Sequence, residues 1–121
     1  MNRTQIINYR GKKVFFHDYS SLQSVDEIAL VMKEVRAYIH IQPLMSVYSL
    51  ASIEGMHFNS TIKDMFNELL KSNKAYVKAS AIVGVTGLKQ IVFNGIMRIS
   101  GRDVKAFSSL ELAKDWLAQQ N

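Results

Sequence analysis

The chain has 121 residues, no cysteine and one proline. That length suits a single folded unit, residues 1–121, with a core of its own, and the lack of cysteine excludes disulfides, thiolate metal sites and cysteine nucleophiles. The formal net charge of +5 is concentrated in residues 71–105, where seven Lys and Arg face one Asp; it reads as a solvated basic face, with no nucleic-acid partner expected.

Met1-Asn2-Arg3 leads into polar residues, and no apolar run nears the roughly 18 residues of a membrane span. No signal peptide or transmembrane segment is expected, which fits a cytoplasmic protein. Ile6–Tyr9 and Lys13–Tyr19 read as strands joined by the turn Arg10-Gly11-Lys12, a hairpin that gives the sheet an antiparallel edge. His17 and Asp18 fall on opposite faces of the second strand, which disfavours a catalytic relay between them, and Asp18 suits a turn or capping acceptor. Ser24-Val25-Asp26-Glu27 has capping-box spacing. Ile28, Met32, Val35 and Ile39 then recur at helical spacing, and Pro43 ends that stretch.

Leu44–Ala51 reads as a strand and 52–59 as a loop carrying Met56, His57 and Phe58. A helix opens at Ser60 or Thr61, whose hydroxyls suit a helix N-terminus, and buries Ile62, Met65, Phe66, Leu69 and Leu70. Tyr76-Val77 leads into an apolar strand at 81–85. Thr86-Gly87 follows, with Thr86 expected as the cap of a helix over 88–100 that Gly101 stops. The turn Thr86, Gly87 and Lys89 is a candidate anion cradle, though it matches no phosphate-loop pattern. Val104–Phe107 is the last strand. Ser108 and Glu111 repeat the capping-box spacing ahead of a helix that turns Leu110, Ala113 and Leu117 inward.

This order predicts an α/β fold: one mixed five-stranded sheet, an antiparallel hairpin followed by parallel strands, with four helices. The helix at 88–99 is apolar around most of its circumference. Leu88, Ile91, Val92, Ile96 and Ile99 form the expected inward stripe, and Phe93 with Met97 a second pair away from it. A helix of that kind covers a second surface: a homodimer seam, a protein partner or a flap over an apolar pocket.

The run AIVGVTGLKQIVFNGIMRISGRDVKAFSSLELAKDWL, residues 81–117, resembles the SpoIIAA-like branch of the STAS (sulfate transporter and anti-sigma-factor antagonist) superfamily. Small bacterial proteins of that branch read strand, VTG-like turn, helix, SGR, strand ending in Phe, and a helix ending in Trp-Leu. The resemblance implies a non-enzymatic regulatory or ligand-binding module without a cofactor. Anti-sigma-factor antagonists carry an Asp-Ser-Ser-Gly loop whose second serine is phosphorylated. The matching place here is Asn59-Ser60-Thr61-Ile62, which departs at two of four positions, so the phosphoswitch motif is not intact. Thr61, with Ser60 beside it, is the candidate phosphosite.

No nucleophile, base and orienter stand together in the sequence for catalysis through Asp18, His57 or Ser60, and the three histidines lack the spacing of a local metal pair. The expectation is a non-enzymatic module that binds a protein partner or itself through Met56, His57, Phe58, Asn59, Ser60, Thr61, Phe93 and Met97. The alternative is a carrier or sensor of a small apolar, lipid-like ligand. Met32, Met56, Met65, Phe66, Phe93 and Met97 would then line a pocket between helices and sheet, methionine being adaptable to such a role.

Overall fold

The computed structural model describes residues 3–120. Strands β1 (Thr4–Tyr9) and β2 (Lys12–Asp18) precede helix α1 (Val25–Ile39). Then follow β3 (Val47–Ser52), α2 (Ser60–Asn73), β4 (Val77–Val83), α3 (Leu88–Ser100), β5 (Val104–Phe107) and α4 (Leu110–Ala118). The strands form one sheet in the spatial order of the chain, β1-β2-β3-β4-β5. β1 and β2 pair antiparallel, and every later pair is parallel. The predicted fold class is therefore the observed one.

Order and handedness together decide which face each helix covers. Each parallel strand is laid beside its predecessor in the same direction across the sheet. Right-handed crossovers then put α1, α2 and α3 all on one face. Their buried side chains, among them Ile28, Val35, Ile62, Phe66, Leu69 and Ile96, form one cluster with Phe15, Ala51, Ile82 and Val104 of the sheet. α4 comes after the last strand and covers the other face, where Ala113 and Leu117 meet Val14, Leu50, Ala81 and Val83. Small residues let α4 approach β4 closely. Bulky Phe66, Leu69 and Ile96 fill the layer beneath α2 and α3.

Local chemistry sets the ends of the elements, and several differ from the sequence expectation: β1 begins at Thr4 rather than Ile6, β2 spans Lys12–Asp18 rather than Lys13–Tyr19, and β4 spans Val77–Val83 rather than 81–85. Half of the expected box at Ser24 forms: Ser24 caps α1, its hydroxyl accepting from the Glu27 N–H at 3.3 Å, but among the described residues the Glu27 side chain makes no return bond to the Ser24 amide. β3 begins at Val47 rather than Leu44, because Met45 takes a left-handed φ of 54° and the Met45 and Ser46 amides donate to the Ala75 and Tyr76 carbonyls. Leu44 and Met45 are left exposed. The cap of α2 is Asn59, whose Oδ1 accepts from the Ile62 N–H at 2.9 Å; Ser60 and Thr61 are exposed in its first turn. Gly87, not Thr86, stands at the cap position of α3, with no side-chain cap bond. Ser109, not Ser108, caps α4 by accepting from the Leu112 N–H at 3.2 Å.

The buried stripe of α3 is rotated by about a quarter turn from the expected one. Ile96 and Ser100 are buried, and Val92, Phe93 and Met97 pack against the core beside them. Ile91 and Ile99 are 70% and 64% exposed. The helix is apolar on both flanks, so periodicity alone could not choose the side that α2 would cover. Leu110 of α4 is likewise on the surface at 38% exposure, while Ala113 and Leu117 are buried as expected.

Candidate functional site

β-strand alternation puts Phe15 and His17 on the helix-covered side of β2, with Tyr19 just beyond its end in the same cluster, and Ser49 on the same side of β3. Ser80 of β4 is the direct register partner of Ser49, and Val104 that of Ser80. A face that is otherwise apolar thus carries a row of three buried polar side chains, His17, Ser49 and Ser80. Such groups must be hydrogen-bonded to be tolerated. His17 Nδ1 lies 3.0 Å from the Tyr19 hydroxyl and Nε2 lies 2.8 Å from Ser49 Oγ. A neutral imidazole has one N–H donor and one bare nitrogen, so His17 bridges the two hydroxyls by donating to one and accepting from the other.

Arg102, in the loop between α3 and β5, completes the row. Its guanidinium donates to Ser80 Oγ at 2.5 Å and to the Leu70 carbonyl at 3.0 Å. Burial lowers its pKa to about 10, so it remains a cation at neutral pH. Burial, with the nearby Arg102 charge adding to it, pushes His17 down to about 3. Burial also raises the Tyr19 phenol above its ordinary value. The row therefore holds one positive charge beside neutral partners.

Above this row, between the sheet and α2 and α3, lies a cavity of about 60 Å³. Its walls are chiefly apolar, with Phe66 and Leu69 from α2, Phe93 and Ile96 from α3, and Ala51 and Ile82 from the sheet. His17, Ser49, Ser80 and Arg102 give it a polar strip. Phe58 and Lys89 line the cavity and also border an open groove of about 650 Å³ on the outer side. They form the partition between the two spaces. The Lys89 ammonium donates to the Ile53 carbonyl at 3.3 Å, and desolvation lowers its pKa.

The outer groove brings together many of the residues nominated from sequence. Met56, His57, Phe58, Asn59 and Ser60 line it opposite Thr86 and Lys89. Met56 is itself buried in the core, and His57 is exposed, with its N–H held by the Leu22 carbonyl at 2.8 Å. Thr61 and Gly87 are exposed nearby in sequence but do not line the groove. In the candidate anion turn the Lys89 and Gln90 amides already donate to the Thr86 and Gly87 carbonyls. Phe93 belongs to the inner cavity, and the Met97 sulfur accepts from the Val104 N–H at 3.3 Å.

Sequence reasoning missed Ser49, Ser80 and Arg102, and assigned His17 no function. The available signal was a set of mid-strand polar residues at positions whose neighbours are apolar. Arg102 entered the sequence reading only as one cation of the basic third and as the last residue of the SGR stretch, with no role given to it. Among the described residues no three His, Asp or Glu side chains gather as a metal-ligand group, and no helix is long and apolar enough to cross a membrane. Comparison with protein-family models, with curated proteins and with solved structures gives no match for this chain.

Proposed function

We infer that this protein is a non-enzymatic binder, a carrier or sensor, of a small apolar ligand held between the sheet and helices α2 and α3. The observation that carries the reading is the largely apolar cavity of about 60 Å³ that meets the outer groove at Phe58 and Lys89. Well-packed interiors leave few voids larger than a water molecule, and ligand sites are typically apolar concavities with a few placed polar groups. The inner space is small, so an occupant longer than a few carbons would extend past Phe58 into the groove.

Calorimetric titration with hexan-1-ol, a chain able to place its first carbons in the cavity and the rest in the groove, tests the reading. The wild-type chain is expected to bind it saturably. Ala51→Val adds two methyl carbons to the cavity wall at a strand position that favours β-branched residues, and is expected to weaken binding roughly tenfold by occupying the space the probe needs. Binding that is absent from the wild type, or unchanged in a folded Ala51→Val, overturns the ligand reading.

A second reading is a regulatory protein-binding module of the anti-sigma-factor-antagonist kind. It is favoured by the outward face of α3, where Ile91 and Ile99 flank Gly95 two turns apart, and by the exposure of Ser60 and Thr61 at the start of α2. If α3 forms a homodimer seam, Ile91→Asp converts a dimer to a monomer in light scattering at high protein concentration. A wild type that is already monomeric there removes the seam.

A further inference from the structure

The charge around the cavity is one-sided. Arg102 and Lys89 are among its lining residues, and no Asp or Glu is. Lys89 stands at the partition and is engaged with the Ile53 carbonyl. Arg3 finds Asp18 and Arg10 finds Asp115, whereas Arg36, Arg98 and Arg102 make no ion pair among the described residues; Arg36 and Arg98 are exposed, and Arg102 alone of the three is half-buried and lines the cavity. A guanidinium has five N–H donors in a planar fork, and two protein acceptors are placed on this one, Leu70 O and Ser80 Oγ. Holding the last turn of α2 through Leu70 accounts for the presence of a cation there. It does not account for a half-buried arginine that lines a largely apolar cavity without a counter-charge beside it, since the charge is partly removed from water there.

We propose that the ligand of this cavity is an apolar carboxylic acid whose carboxylate is held by Arg102 and the Ser80 hydroxyl. The proposal rests on the ligand-binding reading above and names the class of molecule. A carboxylate matches the guanidinium fork in plane and in bidentate spacing. Its single negative charge balances the single cation of the polar strip, since His17 is neutral. The geometry also gives the direction of binding. Arg102 precedes β5 and lies by Ser80 and Leu70, whereas Phe58 and Lys89 lie toward the ends where β3 and β4 leave the sheet. The acid head sits at the Arg102 end. Its chain runs parallel to the strands, under Phe66, Leu69 and Ile96, toward Phe58.

The test is calorimetric titration of the full chain with decanoate and, separately, decan-1-ol, which share a tail and differ in the head. Wild type is expected to bind decanoate at least roughly tenfold more tightly than the alcohol, the size of effect a charged hydrogen-bonding anchor supplies. In Arg102→Met the preference is expected to fall to about one while decan-1-ol still binds. Equal affinities in the wild type, or a preference that survives in Arg102→Met, overturn the acid anchor and leave the apolar-ligand reading standing. Failure of both compounds to bind the wild type overturns both. Should Arg102→Met not fold by circular dichroism, Arg102→Lys takes its place: an ammonium lacks the fork, so the preference for decanoate is expected to drop several-fold, and an unchanged preference overturns the proposal.

Discussion

Gly84→Ala is expected to destabilise the fold by about 3 kcal/mol or more, reaching loss of the native state at ambient temperature. Gly84 follows the last residue of β4 with a φ of +98°, a backbone conformation hostile to any side chain. A Cβ there would stand 2.5 Å from the Glu54 nitrogen and 2.8 Å from its Cα. Those are backbone atoms of the segment leaving β3, anchored by the Ile53 N–H donating to the Val83 carbonyl at 2.9 Å. They cannot swing away as a side chain would. Gly87→Ala is the control: its φ is also positive, at 58°, but nothing lies within 4 Å of the added carbon. The Gly87 ψ of −131° lies outside the left-handed helical region, and the substitution is expected to cost the backbone penalty alone, about 1–3 kcal/mol. Urea denaturation of the two variants measures the difference, and equal losses would show that the close approach of the two strand ends is not rigid.

Acid is expected to unfold this protein through His17. In the unfolded chain an imidazole titrates near its ordinary value of about 6.5, whereas in the fold burial, with Arg102 adding to it, holds His17 to about 3. Between those values the unfolded state takes up a proton that the folded state refuses. The stability that His17 contributes is therefore complete above about pH 6.5. It is lost progressively on acidification toward pH 3, at about 1.4 kcal/mol per pH unit. From pH 6.5 to pH 4.5 the wild type should lose about 2–3 kcal/mol that His17→Gln does not, since glutamine bridges Tyr19 and Ser49 with one donor and one acceptor and has no proton to gain. Denaturant midpoints across that range compare the slopes. Parallel slopes would mean that His17 is accessible to protons in the native state.

The fold was legible because its signals were local and redundant. Two apolar runs around Arg10-Gly11 could only be a hairpin, and repeated strand–helix units with short junctions could only be a parallel sheet. The capping chemistry at Ser24 needed no tertiary context. Where two neighbouring residues offered the same chemistry, the choice was invisible. Asn59 rather than the adjacent hydroxyls caps α2, and Ser109 rather than Ser108 caps α4, because the entry angle of the preceding chain decides which side chain reaches the free amide. The rotation of α3 depended on α2, a neighbour that periodicity does not represent.

The site was less legible for a related reason. Met56 to Ser60 and Thr86 to Lys89 were nominated separately, and the sequence contained nothing to say that they share a groove. The polar strip is assembled from one residue each of β2, β3 and β4 and from a loop. Each member is ordinary in its own segment: a serine in a strand, an arginine after a glycine. Their meaning arises only when register sets Ser49 beside Ser80 and the loop folds Arg102 down onto them. The basic third of the chain read as a solvated face, yet two of its cations, Lys89 and Arg102, turn toward the interior.

Because the strands lie side by side in the order in which they are synthesised, no strand has to be threaded between two that have already paired. Each new strand and its helix can be added to the growing edge as the chain leaves the ribosome, and the closures required are between neighbours in sequence. That keeps the entropic barrier to assembly low for a parallel sheet, an architecture otherwise slow to form. α4 closes the second face last, so a chain interrupted before Leu110 would leave Val14, Leu50, Ala81 and Val83 without their cover.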